Sequence, residues 1–209
     1  MTVHFSEAAG VGVSWIASEP PLLERASHAL AAGGRVWLVD PVDAPGVEER
    51  VRGLGAPAGV IQLVDRHPRD CAALARRLGV PQLRLPFAGV PGSPFAAVPI
   101  LDVPGWREVA LWWPAPNVVV CGEALGTAPY FTAAGERLGV HPVLRIHPPR
   151  GLRALAETLA PEHVLVGHGD AVHGPEAAPA LADALRGARR RGPSWLGHQL
   201  SGRQRGRRG

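Results

Sequence analysis

The stretch VIQLVDRHPRDCAALARRLGVP, residues Val60 to Pro81, decides the reading of the chain. It opens with Val60, Ile61, Leu63 and Val64, an apolar run too short for a helix and rich in β-branched residues, which predicts a buried strand. Asp65, Arg66, His67, Pro68, Arg69 and Asp70 then crowd together, and Cys71 to Leu78 follows with Leu74 and Leu78 at helical spacing. Side chains at the end of a strand that leads into a helix converge on a crevice, so an ionisable cluster at this point predicts a site.

Upstream of that stretch, Val11 to Ala17 alternates like a strand, and Leu22 to Ala32 predicts a short helix stopped by Gly33 and Gly34. Arg35 to Val39 (RVWLV) is a second strand, ended by Asp40 and Pro41, where an aspartate can organise the following turn. Val47 to Leu54 predicts a helix closed by Gly55. Downstream, Leu83 to Leu85 is a brief strand, and Pro86 to Pro99 is an irregular connection rich in glycine, proline and alanine. Val98 to Val103 and Glu108 to Trp113 read as strands around the turn Pro104-Gly105-Trp106. Asp102 and Glu108 beside that turn are expected to be solvated carboxylates. Asn117 to Cys121 is a strand ending at Gly122 and Glu123. Ala128 to Leu138 predicts a helix with Tyr130 and Phe131 near its start, as does Gly151 to Leu159. The strand His163 to Val166 runs into Gly167, His168, Gly169 and Asp170, and Pro175 to Arg190 predicts a last amphipathic helix.

At 209 residues the chain has room for one large domain or two small ones and for a sizeable core. It contains no lysine. Eight arginines and no acid lie between Arg186 and Gly209, so fourteen arginines face eighteen acids upstream and the high pI belongs to the tail. Residues 192–209 are therefore expected to be an Arg/Gly-rich, disordered tail. Its arginines suggest weak contact with nucleic-acid phosphates, although a solvated basic terminus explains them as well. Two cysteines, Cys71 and Cys121, make no disulfide framework and read as buried free thiols. No apolar segment follows a basic start, so neither a signal peptide nor a membrane span is expected, and the chain reads as cytoplasmic. His141, His147, His163 and His173 have no paired spacing that demands a metal.

The order of elements and several strand ends resemble the metallo-β-lactamase superfamily over roughly residues 8 to 190. The strand ending in aspartate is similar to Leu38-Val39-Asp40-Pro41. The superfamily's His-x-His-x-Asp-His motif falls on Asp65 to Asp70, its later metal-binding histidine on Trp106 in VPGWREVAL, its bridging aspartate on Glu123, and its Gly-His-Gly turn on Gly167-His168-Gly169. The resemblance implies an α+β fold, a four-layered αββα sandwich of two mixed sheets flanked by helices, occupying residues 1–191. It also implies a metallo-hydrolase site with Asp65, His67, Asp70, Glu123 and His168 as possible ligands, and with Trp106, Cys71 and Cys121 lining the pocket.

Only His67 and His168 keep the superfamily's residue type. Trp106 is a donor without a lone pair to offer, and Arg69 sets a permanent cation where the superfamily has an aspartate. Two readings follow. In one, Arg69 replaces a metal as the counter-charge of Asp65, Asp70 and Glu123, and the fold persists without catalysis. In the other, His67, His168 and some carboxylates hold one zinc, manganese or iron ion, Arg69 turns toward an anionic substrate, and the protein hydrolyses an ester, thioester or phosphoester. Either reading leaves room for a small-molecule ligand at the strand ends.

Overall fold

The computed structural model describes residues 1–8, 10–19 and 23–205, the side chains of 198 and 200–205 excepted. The N-terminal half builds a six-stranded mixed sheet from β1 (Thr2–Ala8), β2 (Gly12–Ser18), β3 (Arg25–Ala32), β4 (Arg35–Val39), β5 (Ala56–Gln62) and β6 (Gln82–Arg84), in that spatial order. The first four strands are antiparallel neighbours, and β4, β5 and β6 run parallel. Helix α1 (Val47–Leu54) crosses from β4 to β5, and α2 (Cys71–Leu78) from β5 to β6. A second mixed sheet, in the order β13, β12, β9, β8, β7, contains β7 (Ala96–Val103), β8 (Trp106–Trp113), β9 (Val118–Val120), β12 (His163–Leu165) and β13 (Val172–His173). The short pair β10 (Leu125–Gly126) and β11 (Gly139–Val140) stands beside it, with α3 (Arg150–Thr158), α4 (Ala177–Gly187) and α5 (Gly192–Arg205).

Period-2 alternation sorts these strands into layers. Trp37, Val39 and Ile61 point between the sheets, where they meet Val109, Leu111, Val118 and Val120. Val36, Leu38 and Val60 point outward onto Val47 and Val51 of α1 and Leu74 of α2. On the far side Ala110, Val119 and Val164 face Leu152 and Leu155 of α3 and Leu181 and Ala184 of α4. Each sheet therefore buries both faces, and the layers are helix, sheet, sheet, helix, as expected for the αββα sandwich.

Three predicted elements differ. The alanine-rich segment predicted as a helix over 22–32 is strand β3, hydrogen-bonded between β2 and β4, with residues 26 to 30 all buried. Its helical propensity is overridden because Ala29 fills the outer layer and Leu30 the inter-sheet core; Leu22 itself lies outside the described residues. Ala128 to Leu138 forms turns rather than a helix, with Gly135 at φ +81° and the Glu136 carboxylate accepting the Ala133 N–H. The tail expected to be disordered continues as α5, and only 206–209 lie outside the described residues. Its apolar surface is small, but Trp195 Nε1 donates to the Tyr130 carbonyl at 2.7 Å. At its start, Arg191 reaches the buried Glu136, already paired with the buried Arg145. Among the described residues no helix is long and apolar enough to cross a membrane.

Candidate functional site

Four segments meet at the carboxyl ends of β4, β5, β9 and β12, and Arg69 ties three of them together. Its guanidinium Nη1 donates to the carbonyls of Ala26 and Asp40, the latter at 2.8 Å, and Nη2 donates to the Gly167 carbonyl at 2.7 Å. Arg69 was expected to lie against carboxylates; its hydrogen bonds go to backbone oxygens instead. The reason is local: Asp40 and Arg69 both adopt left-handed backbone, at φ +42° and +44°, which turns the Asp40 carbonyl toward the arginine. The approach is close. A Cβ at Gly167 would sit 2.1 Å from the Gly122 carbonyl oxygen and 3.2 Å from Arg69 Nη2, so a side chain there would drive the loops apart.

Two of the candidate ligands face elsewhere. Beyond β5 the chain pairs with β8, Val109 N donating to Leu63 O and Asp65 N to Arg107 O, and this draws the Asp65 carboxylate onto the Arg107 amide at 2.9 Å. Asp70 precedes α2 and accepts the Asp43 amide at 2.8 Å, holding the turn after Asp40. Neither lines the cavity of about 340 Å³ at the strand ends, which is walled by Leu23, Arg25, His67, Pro68, Arg69, Glu123 and His168. Trp106, Cys71 and Cys121, expected at the pocket, are not among these walls. Cys71, the first residue of α2, is buried in the core between that helix and the first sheet, its thiol pKa pushed up to about 12 by burial, and Cys121 is buried in the outer core of the second sheet.

Glu123 is the centre of what remains. Arg66 Nη1 lies 3.4 Å from its Oε2, and His67 Nε2 and His168 Nε2 lie 3.2 and 3.3 Å from its Oε1. Burial works to raise its carboxyl pKa, but His168 and His67 in their protonated forms, together with Arg66, outweigh burial and hold it down at about 2. His168 is stacked on Phe131, and its Nδ1 lies 3.0 Å from the Glu24 carbonyl. A carbonyl only accepts, so Nδ1 carries the proton and Nε2 of the neutral ring presents a lone pair. Burial lowers the His168 pKa and favours that neutral ring.

The supporting carboxylate is Glu108, which the sequence reading assigned to solvent. It is fully buried, its Oε1 accepting the amides of Gly122, Glu123 and Ala124 at 3.1, 2.9 and 3.0 Å and its Oε2 the Trp106 indole at 2.9 Å. Burial pushes its pKa up to about 7 against the donors of Ala124, Trp106 and Glu123. Period 2 along β8 carried the signal, because Trp106, Glu108 and Ala110 share one strand face. Asp40 is likewise buried, accepting the Leu63 amide at 2.9 Å, and desolvation raises it to about 6 although Arg69 opposes the shift.

His28 went unnoticed in the sequence because its segment reads as helix. On β3 it is enclosed, with Nδ1 2.8 Å from Ser14 Oγ and Nε2 3.0 Å from the Val166 carbonyl, and burial lowers its pKa from 6.5 to about 4. The folded value lies below the unfolded one, so His28 contributes stability that is present above pH 6.5 and lost as the pH falls through 4. That shift corresponds to about 3 kcal/mol. Unfolding free energies measured from pH 7 down to 4 are expected to fall steeply in the wild type and less steeply in His28→Gln; equal slopes would show that His28 does not set the acid limit.

No protein-family model matches the sequence, and no curated protein matches it. Solved structures do match in fold. A metallo-β-lactamase from Erythrobacter litoralis aligns with a TM-score of 0.58 at 10% identity over 88% of this chain and 92% of that one. FIM-1 from Pseudomonas aeruginosa, in its mono-zinc form, aligns at 0.57 with 14% identity over 90% and 97%. One from Pontibacter korlensis aligns at 0.55 with 11% identity over 88% and 99%. The architecture is thus the metallo-β-lactamase fold. At these identities the likeness concerns the fold, and function must be argued from the site.

Proposed function

We propose that this is a metallo-β-lactamase-fold protein in which protein cations stand in place of the metal ions, and that it lacks dinuclear zinc hydrolase activity. The observation that carries the reading is Arg69, half-buried in the cavity wall and bonded to three backbone carbonyls. A fixed cation within a few ångströms of divalent ions is costly at low effective dielectric. A two-ion centre does not fit the donor set. Asp65 and Asp70 are engaged by backbone amides outside the cavity, and Trp106 spends its indole N–H on Glu108. Among the described residues, no group of three or more His, Cys, Asp or Glu side chains is arranged to hold an ion. We read the compartment as cytoplasmic, in keeping with the two free cysteines.

A second reading, a hydrolase of an ester, thioester or phosphoester with a single ion, is favoured by one observation: the buried His168 Nε2 has no hydrogen-bond partner beside Glu123. Elemental analysis of full-length protein purified without chelator separates the two. We expect well below one equivalent of zinc, manganese or iron, and a stoichiometric, chelator-sensitive ion would overturn the proposal in favour of the hydrolase.

A further inference from the structure

Four buried side-chain polar atoms among the described residues lack a hydrogen-bond partner, and three of them, Arg25 Nε, Glu123 Oε2 (which has only the 3.4 Å ion-pair approach of Arg66) and His168 Nε2, belong to residues that wall the cavity at the strand ends. Buried polar groups are almost always paired, so a cluster of three calls for an occupant. Their chemistry is complementary. Arg25 offers its Nε donor and a positive charge, its Nη2 resting 3.3 Å from the exposed Glu19 carboxylate, while Glu123 and the His168 lone pair both ask for a donor. A purely anionic molecule would serve Arg25 and be repelled by Glu123; a simple cation would do the reverse. We propose that the cavity binds a short organic carboxylate that also bears a hydroxyl or ammonium group, its carboxylate on Arg25 and its donor between Glu123 and His168.

The walls suit such an exchange. The His67 ring is half exposed and, among the described residues, has only the 3.2 Å approach to Glu123, so a ligand donor can displace it at little cost. Arg69 uses Nη1 and Nη2 on carbonyls, which leaves its position fixed and its charge beside the bound carboxylate. The proposal rests on the metal-free reading above.

The test is calorimetric titration of the full chain, as purified, with three molecules that share a three-carbon skeleton: propanoate, 3-hydroxypropanoate and β-alanine. Metal content is measured on the same sample, so that a bound ion refutes the metal-free reading while the heats judge the ligand. The hydroxy and amino acids are expected to bind about tenfold or more tightly than propanoate. Arg25→Gln, at a partly exposed strand position, should keep the fold and weaken both by at least a similar factor. Glu123→Gln should remove their advantage over propanoate, with the His168 imidazole resonance no longer responding to ligand. Equal binding of the three molecules, no saturable binding of any, or wild-type binding by Arg25→Gln would overturn the proposal.

Discussion

Replacing Arg69 with leucine is expected to lower the stability of the protein by about 3 to 5 kcal/mol. The change removes the donors to the carbonyls of Ala26, Asp40 and Gly167, of which the Gly167 carbonyl also accepts the Ala26 amide. It also leaves the Asp40 carboxyl buried without its nearest cation, and Asp40 will then hold its proton to higher pH. Arg69→Lys retains the charge but cannot span three carbonyls, so it should recover part of the loss. Denaturant unfolding monitored by tryptophan fluorescence reads both variants, and a loss below about 1 kcal/mol for leucine would mean that water satisfies these carbonyls instead.

Removing the Glu108 carboxylate should cost a similar amount. Glu108→Ala strands three consecutive amides and an indole N–H in the interior, for an expected loss of about 3 to 5 kcal/mol. Glu108→Gln makes the argument specific: its amide oxygen can still accept the loop amides, while its NH2 group meets the Trp106 N–H donor to donor. Its loss should be roughly half as large. Because the loop carries Glu123, amide exchange at residues 122–124 should accelerate in both variants. Unchanged exchange in Glu108→Ala would show that the loop is held by other contacts.

The layers were legible because alternation survives in the central strands: RVWLV at Arg35 to Val39 sends Trp37 one way and Leu38 the other, and each finds a core. Segment 25–32 was not legible, since Ala and Leu favour helix locally and only hydrogen bonding between two neighbouring strands makes it β3. Strand β1 passed unread as well. At the sheet edge, four of its seven residues are exposed and no apolar run announces it. His67 and His168 both stand beside Glu123, but spacing could not show that pairing of residues 63–65 with β8 turns Asp65 away, or that Arg69 would choose carbonyls.

The reach of Arg69 bears on when the site forms. Its partners lie 43, 29 and 98 residues away along the chain, so its three hydrogen bonds close only after the N-terminal sheet exists and the loop after β12 has been brought against it. Contacts that must wait for such long loops to close contribute little to the folding transition state, and two left-handed residues must be set before the first of them is made. The instability of Arg69→Leu should accordingly appear as faster unfolding with a nearly unchanged folding rate, which makes this arginine a latch on the finished molecule rather than part of its nucleus.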